Sequence, residues 1–317
     1  VVYGPVAQLL FKICSFVSLK NVDICLFVFK LLNVIVHIAN CYLIYKISGK
    51  KKFAIIYGLN PFILFEFIAN VHNDIILVFF VILSIYFITK KKNIYLSILF
   101  LACATGIKYF TILLLPVVIL YYFKEEKRLG IRFLRCIQYG VIFLVILALE
   151  YALYIQDLQV FMGLFTQMSR YAKSIHSVIL QVNQELVPWV RGTIMIIFLL
   201  YYIKFCIDLL TAKEIKLGKS IRKYNLALIL AILILTNCQQ WYLGWLFATI
   251  MWQSSDMIKN IIGISAITEI ANSVYMFLQE WYIYDCYYVG TIIVLSVIWI
   301  LLTNKHLFKR RKFQWIN

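Results

Sequence analysis

The polar residues that could carry chemistry are concentrated at a few points in an otherwise apolar chain. The first point is Asn70-Val71-His72-Asn73-Asp74, which separates two apolar runs. Asp74 is a candidate general base or metal ligand, and His72 is a candidate for phosphate binding or proton transfer. The alternative is that Asn73 and Asp74 only cap the helix that begins there. Because a cap makes no use of His72, the functional interpretation is favoured.

The second polar point is Lys108, which lies between the apolar stretches 93–107 and 109–123. Each stretch is about 15 residues, or about 22 Å as a helix, which is too short for a straight span. We therefore expect two short helices that meet at Lys108 and line a cavity, rather than one long helix over 93–123. A cation at that point suits a phosphate or pyrophosphate. The alternative is a lysine that only extends to the membrane surface.

Two further groups of polar residues accompany these points. Glu66 lies six residues before His72, where pairing with a neighbouring helix is as good an explanation as catalysis. Arg170, Lys173 and His176 form a polar patch in a segment of mixed polarity. This patch is either a solvated loop or a basic surface that attracts an anionic lipid.

A third group opens the segment Gln239-Gln240-Trp241-Tyr242-Leu243-Gly244-Trp245. Anchoring at the membrane interface explains Trp241 and Tyr242. It does not explain the paired glutamines, and Gln240 is therefore a candidate for hydrogen bonds to sugar hydroxyls.

The elements that must position these residues are transmembrane helices. Of the 317 residues, 63% are hydrophobic and only 14% are charged, which is typical of a polytopic membrane protein. The net charge of +17 arises from basic residues in short loops between apolar runs, as the positive-inside rule expects, and so does not indicate nucleic acid.

The loops predict an all-α transmembrane bundle of about 11 spans, with the basic loops inside and the polar points outside. We expect one transmembrane domain over 1–317. Within it, 1–20 is predicted to be an interfacial helix, and 155–187 an external loop with interfacial helices.

Several short motifs together resemble the GT-C superfamily of membrane glycosyltransferases, most closely the polyprenyl-phosphate-mannose-dependent α-mannosyltransferases. Tyr3-Gly4-Pro5 also resembles a segment that follows the first external loop of those enzymes, whereas Gln240 stands where relatives often have proline. The motifs that carry the resemblance are Asn60-Pro61, Glu66, Asn70, His72-Asn73-Asp74, Lys108, Leu114-Leu115-Pro116, Trp241-Tyr242 and Trp245.

The resemblance implies transfer of a sugar, with inversion, from a polyprenyl-phosphate donor to a glycan or glycolipid acceptor on the extracytoplasmic face of the plasma membrane. It also implies an acidic base in the first external loop. That loop would precede Tyr3, so we expect this chain to lack its first span and that loop. No certain cofactor is implied, and a divalent metal is left open.

The competing hypothesis is a transporter or flippase of a lipid-linked saccharide. Such a protein would distribute polar residues along both halves of a pathway, with an inverted repeat. The polar groups here crowd at one face and no repeat is visible, which favours the enzyme. The predicted roles are Asp74 and His72 in catalysis, Lys108, Arg170 and Lys173 at the donor phosphate, and Glu66, Asn73, His176, Gln240, Trp241 and Tyr242 in substrate binding.

Overall fold

The computed structural model describes residues 3–152, 154, 170–277 and 285–304, and the regular elements of these residues are helices. Positions 155–169 of the predicted external segment 155–187 therefore lie outside the described residues, and positions 170–187 lie within them. The helices are α1 Pro5–Val17, α2 Val22–Ser48, α3 Lys51–Gly58, α4 Pro61–Ala69, α5 Asp74–Tyr86, α6 Ile94–Thr105, α7 Tyr109–Tyr122, α8 Leu129–Ala152, α9 Ile175–Val182, α10 Leu186–Leu210, α11 Leu217–Leu233, α12 Ser255–Phe277 and α13 Asp285–Thr303.

Three described helices, α2, α8 and α10, are long and apolar enough to cross a membrane. The pair α3 and α4, bent by 49° at its break, makes a fourth span if it is counted as one. These helices fit a helical membrane protein. The prediction of about 11 spans goes beyond this count.

Local sequence signals explain where the longest helix begins and ends. The Asn21 side chain accepts a hydrogen bond from the backbone N–H of Ile24 at the start of α2. At the other end Gly49 adopts the left-handed conformation (φ 68°), as a glycine after a helix commonly does. The helix is 27 residues long, which exceeds the roughly 20 residues that a bilayer requires.

The centre of the bundle is α5, which packs against α2, α6 and a 3₁₀ segment, Gln240–Trp252. Most of its apolar side chains are buried, because neighbouring helices cover it on several sides. A residue at the first position of α5 is consequently surrounded by protein. That residue is Asp74.

Regular helix is interrupted near each of the predicted polar points. The second half of α4 is a π-helix, Leu64–Ala69, and α7 begins as a 3₁₀ helix over Tyr109–Leu114. Helices α6 and α7 are separated at 106–108 and pack side by side, which confirms the two short helices around Lys108. Irregular turns of this kind are frequent at functional sites.

The segment after Gln239 is apolar but does not form a regular α-helix. It forms 3₁₀ turns over Gln240–Trp252, with non-helical backbone at Thr249 (φ −122°). Long 3₁₀ runs are uncommon because their hydrogen bonds are poorly aligned, so tertiary contacts must hold this one. Those contacts lie on α5, α11 and α12.

Candidate functional site

Asp74 is held by two donors that arrive from distant parts of the chain. Its side chain is 1% exposed, and Oδ1 accepts hydrogen bonds from Lys108 Nζ at 2.8 Å and Trp245 Nε1 at 2.7 Å. Oδ2 is buried without a hydrogen-bond partner among the described residues. The carboxylate thus faces the Lys108 ammonium and is fixed in direction by the indole of Trp245.

Lys108 is enclosed by two aromatic rings as well as by the carboxylate. Its Nζ lies 4.5 Å from the centre of the Tyr242 ring and 5.3 Å from that of Trp245, and the two rings stack at 4.7 Å. Residues three apart are eclipsed in a 3₁₀ helix, so the local geometry places both rings on the side facing Lys108. Aromatic faces attract a cation most strongly where water is excluded.

Lys108 therefore has an anionic partner within the protein, the Asp74 carboxylate. A phosphate would be a second anion beside it, and the phosphate role of Lys108 stays a prediction. The Lys108 side chain remains 16% exposed.

A second polar contact is built around Glu66, whose side chain is fully buried in the π-helical part of α4. His72 Nε2 lies 3.1 Å from Oε2, and the Gln240 Nε2 amide donates to Oε1 at 3.1 Å. The His72 ring stacks on Trp241 at 3.7 Å, and its side chain is 23% exposed. Glu66 thus pairs with a neighbouring segment, as one of the two interpretations of this residue expected.

The turn that presents His72 is strained and is held from α2. Val71 has a φ of 60°, which is unusual for a β-branched residue. The His72 backbone N–H donates to the Glu66 carbonyl at 3.2 Å. Asn33 Nδ2 donates to the carbonyls of Phe67 at 2.8 Å and His72 at 3.3 Å. Backbone strain of this kind persists only where surrounding contacts over-determine it.

The interpretation of Asn73 and Asp74 as simple helix caps is not supported. Asn73 occupies the N-cap position of α5, but its side chain makes no capping hydrogen bond. Its Nδ2 is buried without a partner among the described residues. The Asp74 carboxylate is directed to Lys108 and Trp245 instead.

The predicted patch Arg170, Lys173 and His176 is not brought into this cluster as a whole. Arg170 is exposed. His176 is buried, with Nε2 3.0 Å from the Leu233 carbonyl oxygen, and this burial lowers the pKa of its imidazole. Lys173 Nζ donates to Asn272 Oδ1 of α12 at 2.9 Å. Lys173 thus contacts α12, the helix that also carries Glu269.

Two residues that complete the cluster were not among the predicted site residues. Trp245 belongs to one of the motifs, and its three-residue spacing from Tyr242 is a signal for a shared face. Glu269 is the one charged residue between positions 260 and 277, and an ionisable group in such a run is itself a functional indication. Its carboxyl group lies within hydrogen-bonding reach of the Glu66 carboxyl.

The described residues contain no group of three or more His, Cys, Asp or Glu side chains arranged to hold a metal ion. The cluster holds two carboxylates, each with a nitrogen partner. Asp74 faces the Lys108 ammonium and Glu66 faces the His72 imidazole, and the first turns of the segment Gln240–Trp252 cover both contacts. Such fixed charges can stabilise charge that develops on a bound substrate.

Part of the chain matches a known protein family. Residues 1–124 match the model of the MptA_B family, which is described as alpha-(1->6)-mannopyranosyltransferase, N-terminal domain. The matched part is less than half of the chain, and it contains Glu66, His72, Asp74 and Lys108. No curated protein and no solved structure matches the chain. The family match supports a mannosyltransferase activity.

Proposed function

We propose that the chain is an integral-membrane mannosyltransferase of the GT-C type, organised as one domain over 1–317. It transfers mannose, with inversion, from a polyprenyl-phosphate donor to an extracytoplasmic glycan or lipid-linked acceptor, at the outer face of a multi-pass protein of the plasma membrane. One observation carries the proposal. The residues that meet in the buried cluster, Glu66, His72, Asp74 and Lys108, all lie within the part that matches a mannopyranosyltransferase family.

Lys108 is the proposed partner of the donor phosphate, with Arg170 and Lys173 as further cations on its approach. An ammonium group has three donors, and the structure commits one of them to Asp74. The remaining donors can meet the charge that grows on the phosphate oxygen as the sugar–oxygen bond breaks. Asp74 and the rings of Tyr242 and Trp245 would keep the ammonium in place before the donor arrives.

His72 is the proposed proton acceptor for the attacking hydroxyl, with Asp74 as the second catalytic residue. His72 Nε2 faces the Glu66 carboxylate, which leaves Nδ1 as the nitrogen that can take a proton. The acceptor oxygen forms a bond to the sugar carbon, its proton moves to His72, and the electron pair of the broken bond leaves with the phosphate. A carboxylate behind the imidazole orients it and stabilises the imidazolium that forms.

The remaining site residues are assigned to the sugar and the acceptor. Asn73, Gln240, Trp241 and Tyr242 surround the two polar contacts and offer amide groups and aromatic faces. His176 is retained as a weaker proposal, because its described contacts are with α11 and not with the cluster.

The test is sugar transfer from radiolabelled polyprenyl-phosphate mannose by membranes that contain the full chain, with GDP-mannose as the alternative donor. Lys108→Met should abolish transfer, whereas the same change at exposed Lys30 should leave the rate within about twofold. A protein that moves the intact donor lipid across the bilayer without cleaving the sugar–phosphate bond would be a flippase, and the proposal would be wrong.

A further inference from the structure

The carboxyl group of Glu269 reaches the cluster from α12, far along the chain from Glu66. Helix α12 packs against α4 and against the segment Gln240–Trp252, and both oxygens of Glu269 are buried there. The carboxyl lies within hydrogen-bonding reach of the Glu66 carboxyl. Two carboxylates this close, out of contact with water, repel each other strongly unless one of them is protonated. The geometry therefore calls for one proton between the two groups.

The neighbours of the two groups decide where that proton resides. Glu66 faces His72 and accepts from the Gln240 amide, so two donors stabilise its charged form. Glu269 interacts electrostatically with Lys173. The Lys173 ammonium also donates a hydrogen bond to Asn272 and lies over the Tyr288 ring. The stronger stabilisation of the charge lies at Glu66.

We propose that Glu269 is a positioning residue that carries the shared proton and donates it as a hydrogen bond to the Glu66 carboxylate. Glu66 then presents a single, fixed negative charge to His72. This inference rests on the proposed function, because it assigns Glu269 a part in the reaction in which His72 accepts a proton. A carboxylate held from both sides keeps the imidazole in one orientation and one tautomer.

The position of Glu269 also explains why the second half of the chain is needed at the site. The family match covers Glu66 and His72, and it ends before Gln240 and Glu269. Glu66 therefore meets the His72 imidazole from the first part of the chain, and the Gln240 amide and the Glu269 carboxyl from the second part.

A glutamine at position 269 imitates a permanently protonated carboxyl group, and this gives the proposal a sharp test. Glu269→Gln should fold and keep most of the transfer rate at neutral pH, whereas Glu66→Gln should lose at least a hundredfold. As pH rises, the parent should lose both activity and stability when the shared proton leaves, because the folded state then holds two adjacent charges. Glu269→Gln should lack this alkaline loss, and Glu269→Asp should retain it in part.

Infrared spectroscopy gives a readout that does not depend on the donor. At neutral pH the parent should show the C=O stretch of a buried protonated carboxyl group. This band should be absent from Glu269→Gln and should be unchanged in the exposed control Glu185→Gln. Absence of this difference, or an unaltered alkaline limb in Glu269→Gln, would overturn the proton-sharing pair. If no polyprenyl-phosphate sugar is a substrate but the difference is present, the pair stands and the proposed function is wrong.

Discussion

The contact between Lys108 and Asp74 predicts a strong energetic coupling in the folded protein. At the observed 2.8 Å and an effective dielectric constant of about 20, two unit charges attract by about 6 kcal/mol. Desolvation cancels part of this attraction. Removal of one partner of a buried pair still costs about 3–5 kcal/mol, because it leaves the other charge without compensation.

The perturbation is a double-mutant cycle with Lys108→Met, Asp74→Asn and the combined variant. Lys108→Met should be the more damaging single change, because Asp74 is 1% exposed and keeps only the hydrogen bond from Trp245. Asp74→Asn should cost less, since the ammonium retains two aromatic faces and some exposure. The combined variant should recover most of the loss, with a coupling energy of about 2–4 kcal/mol.

Unfolding by dodecyl sulfate in mixed micelles measures the four free energies. The pair Lys216 and Glu214 is a matched control, since its 3.1 Å contact is between side chains that are 66% and 70% exposed. Its coupling should stay below about 1 kcal/mol. A coupling for Lys108 and Asp74 as small as the control would refute the claim that the ionic contact is buried and intact.

Two further predictions concern the segment that covers the cluster. Trp245→Phe keeps the stacked ring but removes the hydrogen-bond donor to Asp74. The rate of sugar transfer should fall at least tenfold, and the free energy of unfolding should fall by about 1–2 kcal/mol. Steady-state kinetics and unfolding in micelles measure the two effects. Gly244→Ala places a Cβ against the Phe67 ring and should lower the free energy of unfolding by about 1–3 kcal/mol. Gly192→Ala, where a Cβ meets nothing within 4 Å, is its control, and equal midpoints would show that the close packing is wrong.

Much of the helical layout follows from the sequence, because apolar runs and basic loops directly report helix positions. The break at Lys108 was predictable since the flanking runs are too short to span. The 3₁₀ form of Gln240–Trp252 was not, because its apolar composition is that of an ordinary helix. Tertiary contacts with α5 and α11 override that local preference.

The site was predictable in its residue types and only partly in its pairing. Asp74 and Lys108 were both candidates, but nothing in their spacing of 34 residues indicates an ion pair. Gln240 and Trp245 lie 174 and 171 residues from their carboxylate partners. Contacts of this separation depend on which helices pack together, and hydrophobic periodicity does not specify that for helices covered on several sides.

Asn33 and Asn40 offer a final prediction that separates site geometry from stability. They lie two turns apart on α2, and both side chains are fully buried. Asn33 Nδ2 donates to the carbonyls of Phe67 and His72, which flank the strained turn. Asn40 Nδ2 donates to Tyr57 Oη at 2.9 Å and to the Ile75 carbonyl at 3.4 Å. Both amides are buried donors that hold α2 against its neighbours, but of the two Asn33 is the one that bonds to the carbonyls on either side of the strained turn.

Each change to alanine removes a buried donor and should cost about 1–3 kcal/mol of stability. Only Asn33→Ala also frees the turn at Val71, whose φ of 60° relaxes once the two carbonyls are released. His72 should then lose its fixed approach to Glu66, so transfer should fall at least tenfold further than in Asn40→Ala at equal unfolding midpoints. The transfer rate and the unfolding midpoint are measured in parallel for both variants. Equal rates would mean that the turn keeps its shape without Asn33 and that its strain has no part in positioning His72.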